Sequence, residues 1–146
     1  MIHINEEFIK EVKKELRNKK NCNVGAYVRI DIENKKILIS FDRYNDKVKY
    51  SNNNDREQHI TMEDTLEIDN EYSIKTIHLH NIAFNDVLFD VLLSDSIYIE
   101  AYKYNSEQFK LANGNIVYMS TIVVKNKRKQ AVYSTMCNDV CNMIIY

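Results

Sequence analysis

Hydrophobic residues recur along this chain with two different periods, and the change from one to the other gives the first expectation about its fold. From Ile4 to about Asn18, Phe8, Ile9, Val12 and Leu16 fall three or four positions apart, the spacing of one helical face. Asn5 stands where an N-cap belongs, Glu6 and Glu7 open the first turn, and Lys13, Lys14, Arg17 and Lys19 gather toward the end, so the charges complement the helix dipole. Ile4 and Ile9 have the spacing of a hydrophobic staple.

From Val24 the period becomes two. Val24, Ala26, Val28, Ile30 and Ile32 point one way and Tyr27, Arg29, Asp31 and Glu33 the other, which is a half-buried strand. The tetrad Glu33-Asn34-Lys35-Lys36 reads as a turn, and Ile37, Ile39 and Phe41 resume the alternation, completing a hairpin. A short strand around Val48 and Tyr50 fits the same pattern. Residues 51–70 are polar and weakly patterned, predicting an exposed loop with one short strand at His59-Ile60-Thr61-Met62.

Tyr72 to Asn81 alternates again, with Ile77 and Leu79 on one face and Thr76, His78 and His80 on the other. Positions 84, 87, 88, 91 and 92 match a helical stripe after an Asn/Asp cap while a strand also fits, and of the two a further short helix near 85–93 is the preferred reading. Ser96 to Tyr104 is read as a strand with Ile97, Ile99 and Ala101 inward and Tyr98, Glu100, Tyr102 and Tyr104 outward. Asn113-Gly114 is a strong turn signal, and a type I′ turn there would set Leu111 opposite Ile116 and Phe109 opposite Tyr118. Ile116 to Val124 is apolar on both faces, as a covered strand is, and a basic turn at 125–129 leads to a last strand through Ala131, Val132, Tyr133 and Met136. Met143 to Tyr146 adds an edge strand. The fold class expected is α+β: an N-terminal amphipathic helix packed on a mainly antiparallel β-sheet.

Composition narrows this only a little. The 146 residues suit one domain spanning 1–146, with proline absent and glycine only at Gly25 and Gly114, so no linker or internal repeat emerges. A net charge of -1 gives no global field for nucleic acid or anionic membrane, and any polyanion binding must be local. No apolar run approaches the roughly 20 residues that span a bilayer, and the N-terminus lacks a signal-peptide pattern, so a cytoplasmic protein without membrane association is expected. Three cysteines, Cys22, Cys137 and Cys141, fit reduced thiols better than a disulfide framework. The abundance of Asn, Lys, Ile and Tyr reflects A/T-rich codons and raises the prior for a phage, virus, mobile element or low-GC bacterium.

Candidate chemistry is sparse. His78 and His80, at i and i+2 on one strand face, are candidates for a shared metal ion or for acid/base work, though no carboxylate follows at a recurring ligand spacing. His59-Ile60-Thr61 has the H-x-T form of two-histidine phosphoesterases, but His78-Leu79-His80 lacks the hydroxyl residue of a second copy. Phosphate-binding glycine loops, G-x-S-x-G elbows and H-E-x-x-H helices are all missing. No cofactor is implied. Lys125, Lys127, Arg128 and Lys129, with the helix face of Lys10, Lys13, Lys14 and Arg17, would bind phosphates if the fold brought them together, and nearby tyrosines would stack bases. The outward tyrosines Tyr98, Tyr102 and Tyr104 offer large contact area with a polar tip, which suits a protein interface.

The expected function is therefore a small non-enzymatic protein-protein interaction module, such as a phage- or mobile-element-type inhibitor or accessory protein acting on a host protein, with self-association into a homo-oligomer left open. The alternatives are a small phosphoesterase or metal-dependent nuclease using His59, His78 and His80, and a nucleic-acid-binding protein using the basic 125–129 turn.

Overall fold

The computed structural model describes residues 1–17, 25–44, 57–72, 74–84, 86–110, 112–114, 116–137 and 143–145. Its elements are β1 (Ile2–Ile4), α1 (Glu6–Arg17), β2 (Ala26–Asp31), β3 (Lys36–Tyr44), β4 (Glu57–Ile68), β5 (Ile74–Ile82), α2 (Val87–Leu92), β6 (Ser96–Lys110), β7 (Ile116–Lys125), β8 (Gln130–Cys137) and β9 (Met143–Ile145). The strands form one sheet in the order β8-β7-β6-β1-β4-β3-β2-β5-β9, and every pairing is antiparallel. A mainly antiparallel sheet with two helices is thus the α+β class that the two periods predict.

Local chemistry explains most elements. The Asn5 carboxamide oxygen accepts the Glu7 N–H at 3.0 Å, starting α1 as an N-cap does. Phe8, Ile9 and Val12 are buried and belong to the same apolar cluster as the sheet's inner residues. In β2, Ala26, Val28 and Ile30 have no exposed surface while Tyr27, Arg29 and Asp31 stay half-buried. The Asp31 carboxylate accepts both the backbone N–H and the side-chain amide of Asn34 at 2.9 Å, holding the β2–β3 turn, where Lys35 takes φ 54°. Asp86 caps α2 by accepting the Leu88 N–H, and Leu88, Phe89, Val91 and Leu92 are buried. α2 lies beside β7 and β8.

Three expectations need correction. The short strand at 59–62 is part of the twelve-residue β4, which pairs with β3 and β1. Ile60, Met62, Leu66 and Ile68 alternate inward there, but Asp64 occupies the inner position between them and interrupts the apolar pattern. The 113–114 turn is not type I′: Gly114 has φ +86°, whereas Asn113 is not among the described positive-φ residues, and a type I′ turn requires both. The strands re-pair at Lys110 with Ile116, so Phe109 faces Val117 and Gln108 faces Tyr118, one residue off the expected register. Finally β1, too short to show a period, is a strand between β4 and β6 with Ile2 and Ile4 buried. The strand expected around Val48 and Tyr50 lies outside the described residues.

The residues do not repeat, yet the order of elements does. β1–α1–β2–β3–β4 is followed by β5–α2–β6–β7–β8, each half a strand, a helix and three antiparallel strands. β1 lies between the last strand of its own half, β4, and β6 of the other. By the same rule β5 would lie between β2 and β8; instead β9 pairs with Ile74 and Ile77, and β8 reaches the farther part of β5 through one side chain. The Tyr133 hydroxyl donates to the His80 carbonyl at 3.1 Å and faces the His80 N–H at 3.3 Å. The sheet therefore rolls until its two end regions meet, with one buried cluster on the inner side among the described residues.

Candidate functional site

The rolled sheet sorts its side chains. The described inner side chains of β2, β3, β4 and β5 are apolar apart from Asp64, and the outer positions carry Tyr27 and three of the chain's four histidines, His59, His78 and His80. Register fixes who meets whom: Thr61, Ser40 and Tyr27 form one row across β4, β3 and β2, and Glu63, Leu38, Arg29 and His78 form the next, reaching β5. Asp42 and His59 are direct partners on β3 and β4.

A bulge brings β5 into this face. Ala26 pairs with Ile82 and Val28 with Leu79, so His80 and Asn81 together oppose the single residue Tyr27, and Asn81 takes φ 55°. Gly25 lies beside the bulge, where a Cβ would come within 2.5 Å of the Asn81 carbonyl carbon. The extra residue lets both imidazoles address one phenol. The Tyr27 ring centroid is 5.9 Å from that of His78 and 4.9 Å from that of His80, and the Tyr27 hydroxyl bonds to His78 Nδ1 at 2.5 Å. Burial drives the His78 pKa below the usual imidazole value, with His80 and Arg29 adding to the effect, and burial raises that of Tyr27. Neutral imidazole and neutral phenol are thereby favoured together.

The second cluster begins on the adjacent strand, β3, and continues onto β4. The Asp42 carboxylate contacts His59 Nδ1 at 2.8 Å, His59 Nε2 lies 2.8 Å from Ser40 Oγ, and Thr61 Oγ1 is 3.4 Å from the same hydroxyl. His59 is well exposed, at 65% of its side-chain surface. Because β3 and β2 separate β4 from β5, His59 stands three strand spacings from His78 and His80, roughly 14 Å. The three candidate histidines thus share a face but do not converge on one phosphodiester-sized centre. His78 and His80 lie with centroids 6.4 Å apart and planes 15° from parallel, and two imidazoles sharing one tetrahedral metal would have centroids roughly 5 Å apart. Among the described residues no group of three or more His, Cys, Asp or Glu is placed to hold a metal ion.

The remaining candidates fall elsewhere. Tyr98 is half-buried, with Tyr72 at 6.1 Å and the Lys125 ammonium 5.3 Å over its ring, and Lys125 also pairs with Glu100 at 2.7 Å. Tyr102 and Tyr104 belong to β6, and their side chains lie outside the described set, as do Cys22, Cys141 and the thiol of Cys137. The Asn126 carboxamide accepts the N–H groups of Arg128 and Lys129, shaping the basic turn. That turn meets α1 and α2 at a groove of about 770 Å³ whose rim includes Lys10, Lys13, Lys127, Arg128 and Lys129, together with Glu6, Asp90 and Asp95. Lys129 is paired with Asp90 at 2.6 Å, which holds the Asp90 pKa below the ordinary carboxylate value.

Sequence reasoning found His59, His78 and His80 but missed Tyr27, Ser40 and Asp42. Their outward positions were legible from alternation; their meeting depends on cross-strand register and on a bulge at Asn81. No described helix is long and apolar enough to cross a membrane. No protein-family model, curated protein or solved structure matches this chain.

Proposed function

We propose that this chain is a binding protein that engages a protein partner through the outer face of β4, β3, β2 and β5, consistent with an inhibitor or accessory role in a phage or mobile element. In this reading α1 and α2 back the inner side of a single cytoplasmic domain and leave the outer side for the partner. The observation that carries it is the Tyr27–His78–His80 cluster: three rings within 6.4 Å of one another, half-buried or exposed, and next to Arg29. Tyrosine and arginine are enriched where interfaces concentrate their energy, and a ring already held by neighbours loses little conformational freedom on binding. Tyr98, by contrast, already spends ring surface on Tyr72 and Lys125.

The test is isolation of a stoichiometric complex from the source cell. Tyr27→Ala and His80→Ala are expected to weaken it by at least about 2 kcal/mol each, the scale of interface hot spots, with Tyr98→Ala near neutral. Absence of a stoichiometric partner, or a complex indifferent to Tyr27 and His80, overturns the reading.

One observation favours a second reading. Lys10 and Lys13 of α1 line a common groove with Lys127, Arg128 and Lys129 of the turn, which supports local phosphate binding, although Glu6, Asp90 and Asp95 share it and Lys14, Arg17 and Lys125 are not among its lining residues. Nucleic-acid affinity that falls steeply with salt and weakens in Lys127→Ala/Arg128→Ala would support it; absent or salt-insensitive binding excludes it.

A further inference from the structure

We propose that Ser40, His59 and Asp42 form a nucleophilic triad on the outer sheet face, giving the chain an acyl- or phosphonyl-accepting serine independent of what the neighbouring rings bind. The geometry supports each role. Asp42 accepts the Nδ1–H of His59 at 2.8 Å, which fixes the tautomer and leaves the Nε2 lone pair toward Ser40. Ser40 donates its hydroxyl proton to that nitrogen at 2.8 Å, within the reach expected of a nucleophile and its base. Thr61, the cross-strand partner of Ser40, holds a second hydroxyl 3.4 Å away.

Strand periodicity brings the three residues together. Ser40 and Asp42 are two apart on β3 and point the same way, and His59 faces Asp42 directly, so its ring spans diagonally to Ser40. The same residue types recur at His3 in the inverted sense, with Asp69 on Nε2 at 2.9 Å and Ser96 on Nδ1 at 3.0 Å. Ser96 is half-buried and serves as an internal control.

The site is open, with side-chain exposures of 65% for His59 and 37% for Asp42, so its substrates are activated esters rather than deeply bound molecules. With an alkyl fluorophosphonate, the Ser40 oxygen forms a bond to phosphorus, the P–F bond breaks, fluoride departs and the hydroxyl proton passes to His59 Nε2. With an activated carboxylic ester, the same oxygen forms the acyl-enzyme, and His59 returns the proton to the departing alcohol. Water then attacks the acyl carbon, giving its proton to His59, and Ser40 regains one as the acid is released.

The experiment is intact-mass and peptide mass spectrometry of the folded chain incubated with an alkyl fluorophosphonate. One adduct on Ser40 is expected, lost in Ser40→Ala, retained in Ser96→Ala and slowed by about a hundredfold or more in His59→Gln. Asp42 acts as a positioning residue: Asp42→Asn is expected to slow labelling at least about tenfold and Asp42→Glu to restore most of the rate. Circular dichroism of each variant separates loss of the site from loss of the fold. No adduct on folded wild type, an adduct elsewhere, or labelling unchanged in His59→Gln overturns the proposal.

Discussion

Tyr27 bonds His78 through its hydroxyl and rests its ring against His80, so the protonation of one imidazole is felt across the whole cluster. Burial disfavours the imidazolium of His78, and the charges of His80 and Arg29 oppose it further. The folded state therefore binds this proton less readily than the unfolded chain, whose value is the ordinary 6.5. Stability from this group is present above that value and is lost as pH falls through it toward the lower folded pKa. Urea midpoints measured from about pH 7.5 to about pH 5.5 are expected to fall, and His78→Gln to flatten the dependence. The carboxylate effect lies lower: exposed Asp90, held down by Lys129, contributes a stability that is lost as pH falls through its ordinary 3.8 toward the lower folded value.

At the scale of elements, the bulge on β5 decides which residues meet. Gly25 passes so close to β5 that an added Cβ would lie 2.5 Å from the Asn81 carbonyl carbon and 2.7 Å from the Ile82 oxygen, both backbone atoms that cannot swing aside. Gly25→Ala is accordingly expected to destabilise the protein by about 1–3 kcal/mol, read from urea unfolding, while Gly114→Ala meets no neighbour and pays only for its φ of +86°. Much of the element pattern was legible in the sequence. The helix over Phe8, Ile9 and Val12 and the strands around Val28, Ile39 and Ile77 follow from periodicity alone, because one buried face imposes it. β4 was not fully legible, since Asp64 interrupts the inner row, and β1 was too short to announce itself. Register across the 113–114 turn and the bulge at Asn81 depend on backbone dihedrals that neighbouring strands select. The clusters at Tyr27 and Ser40 inherit that dependence, which is why the histidines were visible as candidates and their partners were not.

Across the whole molecule, two successions of strand, helix and three strands roll into one sheet around one apolar cluster, with Tyr133 reaching from β8 to the His80 backbone. Rolling gives the sheet a closed inner side and an outer side on which polar groups from four strands stand in rows. The proposed function requires this outer side to be the surface that meets the partner. Photo-crosslinking tests it most directly, with benzoylphenylalanine placed in turn at Leu38 and Thr76 on that face and at Lys127 and Arg128 on the basic turn. A single protein adduct from positions 38 and 76, and none from 127 and 128, is the predicted result. Adducts confined to the turn, or to nucleic acid, would contradict it.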